Sequence, residues 1–307
     1  MKIIIAGGTG FFGTALVKEL LQRKHNVTLL SRDPLHVSSE LTSSANALLS
    51  VELWDGGTNG SWRKNVDGAD AVINLAGESI AGKRWSPKQK TKIINSRVNA
   101  TKAIVESILK AKTKPQVLIN SSAVGYYGSV ESGDVTEEKA SGNDFLSGAC
   151  RRWEQEARRV ESFGVRLVIL RTGIVLGKNG GALKKMELPF KLFVGGPIGN
   201  GRQWMPWIHI EDVVRCMIFA LEQKTVSGPI NMTAPNPVTM KQFSNELGKA
   251  MHRPSLFPVP GFILKIIFGE MAEMLLTGQK AIPSKLSANG FVFKYPSLPD
   301  ALSSIYH

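Results

Sequence analysis

Cysteine is nearly missing from this chain of 307 residues: Cys150 and Cys216 are the only two. Two isolated thiols form neither a disulfide framework nor a metal-ligand cluster, and the five histidines are scattered, so no metal site is expected. Long hydrophobic runs are missing too. No uninterrupted apolar stretch approaches the ~20 residues of a membrane span, and no removable leader precedes the first strand pattern. A cytoplasmic protein without a membrane partner is therefore the expectation. Acidic residues are short, 25 against 38 Lys and Arg, for a formal charge of +13. Such an excess invites a nucleic-acid reading. The basic residues are spread out, however, apart from a run around Lys83 to Lys92, and no nucleic-acid module is recognisable. A solvated basic surface beside an anionic cofactor is the simpler account, and no nucleic-acid partner is expected.

What is present begins at the N-terminus. Ile3 to Ala6 form a short apolar run, and Gly7, Gly10 and Gly13 follow at the spacing G-x-x-G-x-x-G. Glycine suits these points because a tight turn needs backbone conformations a side chain blocks, and because a dinucleotide pyrophosphate must approach the main chain closely. From Thr14, Leu16, Val17, Leu20 and Leu21 recur at helical spacing. The first-turn amides of that helix, around Thr9, Phe11 and Phe12, would face the phosphates. A second strand, Val27 to Leu30, closes the unit.

Beyond that strand a carboxylate usually accepts the adenosine ribose hydroxyls of NAD. Here stand Ser31 and Arg32. A serine and a guanidinium bind a 2′-phosphate through charge-assisted bonds, so NADP(H) is the expected cofactor. The alternative leaves Arg32 as a solvated charge, with Asp33 supplying the acid.

A connector rich in Ser, Thr and Asn leads to Val51–Leu53, a third strand whose end, Trp54 and Asp55, would flank the adenine or simply form a turn. The fourth apolar stretch starts at Ala71 and ends in Leu75, Ala76, Gly77 and Glu78, small enough for a cofactor ribose to lie on the backbone. A helix from Pro87 to Leu109 carries Arg97 on the side that could face the cofactor. Val117 to Asn120 is strand five, and Ser121 to Gly128 beyond it supply hydroxyls where doubly wound sheets bind their ligands. Strand six, Arg166 to Leu170, has Arg171, Thr172 and Gly173 at the matching end, with Thr172 and Gly173 on the cofactor.

The motifs GGTGFFG, NLAG, SSAVGYYG, RTGIVLG and WIHIEDVV, in this order, resemble the extended short-chain dehydrogenase/reductases, the class that contains nucleotide-sugar epimerases. With GGPIGNGRQWMPWIHIEDV and the tail LLTGQKAIPSKLSANGFVFKYPSL, the chain is similar to the atypical, epimerase-like subfamily 39U over nearly its whole length. The resemblance implies an α/β fold: a Rossmann doubly wound parallel sheet binding NADP(H), with a small C-terminal substrate-binding region. It divides the chain into a dinucleotide domain, 1–180 with 205–235, and a substrate module, 181–204 and 236–307. A small-molecule substrate of unknown identity is implied as well.

The chain departs from that class at its catalytic dyad, a tyrosine and a lysine spaced Y-x-x-x-K. Aligned on Glu154, those positions fall on Leu146 and Cys150. Leucine has no proton to give, and a neutral thiol cannot supply a fixed positive charge. No tyrosine lies between Tyr127 and Tyr295, so sliding the alignment does not restore the motif. Ser122 keeps the serine position. Two readings follow: an oxidoreductase or epimerase with a substitute acid, from Tyr126, Tyr127 or Glu78 with Ser122 orienting the substrate, or a non-catalytic NADP(H) sensor.

In the substrate region glycines and prolines between 180 and 207 argue against long regular elements, and Arg202, Gln203 and Trp204 offer a charge, an amide and a stacking face to a polar ligand. Asp212 is expected to support a helix terminus, with His209 a structural residue. Phe262, Ile263, Ile266 and Ile267 read as a core helix, or as an interfacial membrane helix. Gly278, Gln279, Lys280 and Pro283 form a polar turn that could close over substrate. A homodimer through helices at 87–109 and 144–162 would fit the class.

Overall fold

The computed structural model describes residues 1–37, 41, 46–178 and 180–307, so the middle of the Ser/Thr/Asn-rich connector, 38–40 and 42–45, lies outside the described residues. Seven parallel strands make the central sheet: β1 (Lys2–Ala6), β2 (Asn26–Ser31), β3 (Leu49–Leu53), β4 (Ala71–Asn74), β5 (Val117–Ala123), β7 (Arg166–Thr172) and β11 (Gly228–Met232). Their order is β11-β7-β5-β4-β1-β2-β3. The chain steps from β1 outward through β2 and β3, then returns to the other side of β1 with β4. The crevice above β1 and β4 is thus the topological switch point, where open α/β sheets take their ligands.

The apolar runs of the sequence are unbroken because both faces of this sheet are covered. Ile3 and Ile5 pack with Leu16, Val17 and Leu20 of helix α1 (Phe11–Gln22). Ile4 and Ala6 face the other way, against Ile104, Val105 and Ile108 of helix α2 (Pro87–Lys110). Helix α3 (Phe145–Arg158) lies beside α2, with Asp144 capping its first turn through the Ser147 amide at 2.8 Å. Thus β5 alternates as well: Ile119 points toward α1, Leu118 toward α2.

Three expectations are corrected beyond the sheet. The expectation of no long regular element between 180 and 207 gives way at helix α4 (Leu183–Lys191), nine residues with Pro189 inside it. A proline in the last turn removes a single amide donor, and Leu183 and Phe190 hold the helix by burial. Helix α5 (Ile210–Glu222) follows β10 (Trp207–His209), and helix α6 (Met240–Ala250) is closed by a Thr239–Gln242 capping box. Helix α7 (Gly261–Phe268) is not a core helix: Leu264 alone is buried, while Phe262 and Ile266 are 67% and 71% exposed. Its two termini are set by Pro260 and Gly269, and no described residue covers its apolar side.

The third correction concerns the turn at 278–280. Gln279 is buried, its amide donating to the Val124 carbonyl at 2.6 Å, and Lys280 begins β13 (Lys280–Ala281), paired with β6 (Asp134–Val135). Upstream, Glu270 pairs with Lys90 at the start of α2, and Val130 donates to the Gly278 carbonyl at 2.9 Å. The segment 269–280 therefore runs from the start of α2 to the turn beyond β5, tied at both ends.

Candidate functional site

The three glycines after β1 divide their work. Gly7 has φ +78, and a Cβ there would come 2.7 Å from the Leu75 main chain of β4's end. Gly13 lies in α1, where a Cβ would meet the Gly7 carbonyl at 2.5 Å. Gly10 is exposed and open: the one neighbour of a Cβ would be the Gly7 oxygen at 3.2 Å. One glycine makes the turn, one lets the helix touch the strand, and the middle one leaves room outward, the arrangement a pyrophosphate needs. Gly8 belongs to the same set and went unnoticed in the sequence, since its Cβ would strike the Leu29 side chain at 2.4 Å. Gly10 caps α1 without any side-chain hydrogen bond, leaving first-turn amides to an outside acceptor. Thr9 is exposed, and Phe12 packs on the core. The Phe11 ring packs on the same core and also lies against Gly177, Gly180 and Gly181; a Cβ on Gly180 would come 2.2 Å from it.

At the end of β2, Ser31 is buried and its hydroxyl exchanges 3.1 Å bonds with the Asp33 main chain. Arg32 is exposed, with no bonding partner among the described residues. Trp54 is buried against Trp62 at 5.5 Å between centroids, and its indole N–H donates to the Gly57 carbonyl. Asp55 is exposed and accepts from the Gly57 amide at 2.7 Å.

After β4, Leu75, Ala76 and Gly77 are half-buried to exposed. Asn74 anchors this corner from below: it donates to Thr101 (2.9 Å) and Asn120 (2.7 Å) and accepts from the Ala76 amide (3.2 Å). Trp153 of α3 donates to the same Thr101 at 2.8 Å. Above it Arg97 donates to the carbonyls of Glu78 and Ile93, stacks on Trp153 and crowds Gly77. Burial lowers the Arg97 pKa, with the nearby Cys150 and Glu78 opposing it. Glu78 itself pairs with Lys92 at 3.1 Å.

Beyond β5 the candidate catalytic residues separate. Ser122 donates to Glu154 at 2.7 Å, and Glu154 receives both arms of Arg171 at 3.0 and 2.9 Å. Arg171 also donates to the Tyr127 hydroxyl at 3.0 Å, which in turn donates to Asn231 at 2.6 Å. Glu137 completes the cluster by accepting from the Asn231 amide. All six residues are buried. Burial pushes the Tyr127 phenol up to about 12, with Arg171 opposing. Burial also works against the charge of Arg171, but the Glu154 carboxylate outweighs it and holds that guanidinium above its usual value. Ser122, Tyr127, Glu154 and Arg171 each stand out in the sequence one by one, but nothing in it joins them into a unit.

Tyr126 stands apart. It is half-buried, its ring face is covered by the Arg171 guanidinium at 3.5 Å, and its hydroxyl makes no hydrogen bond among the described residues. The dyad positions lie alongside. Leu146 packs at Gly125, and one turn later the Cys150 thiol faces the Ala123 carbonyl at 3.9 Å. A further turn on is Glu154 at Ser122. Burial pushes the Cys150 thiol up to about 11, with Glu154 adding to it, so it is protonated at neutral pH. Ser121, the neighbour of Ser122 on the opposite face of β5, is buried with its hydroxyl unpartnered.

Thr172 is turned back on the Leu170 carbonyl, and Gly173 is held against Pro206, where a Cβ would sit 2.5 Å from the carbonyl. Arg202 is exposed. Gln203 donates to the Ile198 and Leu275 carbonyls while its own carbonyl oxygen is buried and unpartnered. Trp204 lines a cavity of about 600 Å³ with Asp134, Asn236 and Lys280, whose ammonium lies over the indole at 5.2 Å. Asp212 accepts from the Lys294 and Tyr295 amides, and His209, buried and stacked on Tyr295, has its pKa lowered by that burial. Among the described residues no cluster of His, Cys, Asp or Glu could hold a metal, and no helix is long and apolar enough to cross a membrane.

A parallel sheet in this order, with its first crossover helix entered through a glycine turn at the switch point, defines a dinucleotide-binding α/β protein. The chain belongs to the NAD dependent epimerase/dehydratase family, whose sequence profile matches residues 3–232; a domain of unknown function, DUF1731, matches 259–305. It is 42% identical to the Bacillus subtilis epimerase family protein YfhF, over 99% of this chain and 98% of that one. It is 40% identical to the chloroplastic SDR39U1 homolog of Arabidopsis thaliana, over 99% and 86%. The crystal structure of human epimerase family protein SDR39U1 (isoform 2) with NADPH superposes with a TM-score of 0.87 at 35% identity, covering 100% of this chain and 99% of that one.

Proposed function

We propose that this protein is an NADP(H)-dependent oxidoreductase or epimerase acting on a polar or nucleotide-linked small molecule, with Tyr126 as its proton-transferring group. Residues 1–180 with 205–235 serve as the coenzyme domain, and 181–204 with 236–307 as the substrate module. The glycine turn at Gly7, Gly10 and Gly13 takes the pyrophosphate, and Arg32 takes the 2′-phosphate; both fit the group because the turn faces outward at Gly10 and Arg32 is exposed with no bonding partner among the described residues. The human relative's structure holds NADPH, which supports the same coenzyme here. When bound, the coenzyme supplies hydride transfer.

The chain's own part is to hold the substrate oxygen and manage its proton. Tyr126 carries this reading because it is the phenol of the Tyr126–Tyr127 pair whose hydroxyl is uncommitted. Arg171, braced by Glu154, fixes the ring from its face. Ser122 and Tyr127 act through that bracing, as positioning residues. Arg97 places a cation beside Cys150, where the class would have its lysine. A polar or nucleotide-linked substrate enters from the side of Arg202, Gln203 and Trp204.

A second reading, a non-catalytic NADP(H) sensor, is favoured by Leu146 and Cys150, which carry no usable proton at neutral pH. The two separate in one experiment: NADPH oxidation is followed while carbonyl compounds and nucleotide sugars are offered to the wild type and to Tyr126→Phe. Turnover that falls 10²–10⁴-fold in the variant, with NADPH affinity kept, supports the enzyme. Inertness of the wild type across the panel, despite tight NADPH binding, assigns the sensor.

A further inference from the structure

The end of α4, the segment 255–259 and helix α7 expose large apolar side chains next to one another along the chain. Leu188, Leu192, Phe193 and Val194 are each more than half exposed. Segment 255–259 is joined to the chain just after them by Phe257 N–H to the Gly195 carbonyl (3.1 Å) and Val259 N–H to the Pro197 carbonyl (2.9 Å). It adds exposed Leu256 and Phe257, and α7 continues the face with Phe262, Ile266 and Ile267. Leu256, Phe262 and Ile266 are each more than two-thirds exposed, far more than large apolar side chains of a core would be. Phe193 follows α4 with φ +61, a position that favours glycine, and its half-exposed ring carries the Arg253 guanidinium at 4.5 Å.

Charge decides what covers this face. Residues 183–194 and 249–268 contain six cations, Lys184, Lys185, Lys191, Lys249, Arg253 and Lys265, and a single acid, Glu187. Glu187 is buried and already paired with Lys191. Lys249 and Lys265 make surface pairs with Glu246 and Glu273, which are weak in water. A second copy of the chain would set these cations against their like, on a molecule of formal charge +13. An anionic lipid surface attracts them, at about 1 kcal/mol per Lys or Arg near the headgroups, while the apolar side chains enter the acyl boundary.

We propose that α4's end, segment 255–259 and α7 form a peripheral docking surface for an anionic bilayer, with Phe262, Ile266 and Ile267 as the inserted side chains. The expectation of no membrane partner rested on the lack of a spanning helix, and docking of this kind requires none. The test is flotation of the full chain with vesicles of phosphatidylcholine alone and of equal parts phosphatidylcholine and phosphatidylglycerol, at low and high salt. The wild type should float with the phosphatidylglycerol vesicles, more weakly at high salt. The Phe262→Ser/Ile266→Ser/Ile267→Ser variant should bind at least tenfold less while melting at the same temperature, since these side chains touch little of the fold. Failure of the wild type to bind overturns the proposal. If sedimentation then shows a dimer that the variant turns into a monomer, the face belongs to a second copy; if both are unbound monomers, it is neither.

Discussion

At the scale of the residue, glycines that look alike in sequence do different work. Gly13→Ala drives a Cβ to 2.5 Å from the Gly7 carbonyl, so thermal melting should report a loss of about 1–3 kcal/mol from overpacking. Gly10→Ala brings its methyl to 3.2 Å from the Gly7 oxygen, a milder crowding than at Gly13, so it should melt closer to the wild type than Gly13→Ala does and lose coenzyme affinity, because the methyl stands where the phosphates approach. Arg32 is a second single-residue test. Its guanidinium has no bonding partner among the described residues, so Arg32→Ala should leave stability unchanged. NADPH affinity, measured by titration, should fall roughly 10–100-fold, the worth of a charged hydrogen bond, and NADH affinity should hold. If both coenzymes weaken alike, Arg32 does not select the phosphate.

At the scale of the element, α3 shows what a helix can keep after its dyad is gone. Leu146, Cys150 and Glu154 are spaced four apart and therefore lie on one face, turned to β5. That the dyad positions hold a leucine and a cysteine was legible from the sequence. That Glu154 is one half of a buried ion pair was not, because its partner, Arg171, comes 17 residues later on another strand. Glu154→Gln leaves the Arg171 charge buried without its carboxylate and should lower stability by about 3–5 kcal/mol, read by denaturant unfolding. A Glu154→Met/Arg171→Met double variant should recover much of that loss, since an apolar pair leaves no uncompensated charge. Equal losses in the two variants would mean that packing, not charge, holds α3 to β7.

Helix α7 shows the reverse failure of local reading. Its spacing of apolar residues is that of a core helix, and periodicity alone carries no information on whether a neighbour covers the face. The same holds for residues 183–191, where glycines and prolines nearby argued against long regular elements and burial of Leu183 and Phe190 holds a nine-residue helix.

At the scale of the whole molecule, the buried polar cluster makes stability sensitive to alkali. Tyr127 is held neutral, with a folded pKa of about 12 against about 10 for a free phenol. Cys150 is raised in the same sense, to about 11. Groups whose folded pKa is raised give their full stabilisation below the unfolded value and lose it as the pH climbs to the folded one. Stability should therefore be level through neutral pH and fall between about pH 9 and 12, by about 2–3 kcal/mol for Tyr127. Tyr127→Phe should shrink that alkaline step in a pH series of melts, whereas an unchanged step would mean that other groups unfold the chain.

The sequence by itself determined what depends on short stretches of chain. The strand, glycine turn and helix at the N-terminus, the parallel strands as unbroken apolar runs and the serine–arginine pair after β2 were all legible because neighbouring residues set their conformation and chemistry. Only the tertiary structure decided which hydroxyls are spoken for. Ser122 and Tyr127 look available in sequence and are tied up by Glu154, Arg171 and Asn231, from three other parts of the chain. It also decided that α7 shows its apolar side to the outside. Hydrogen-bond partners and covering surfaces are supplied by residues distant in sequence, and a local pattern holds no record of them.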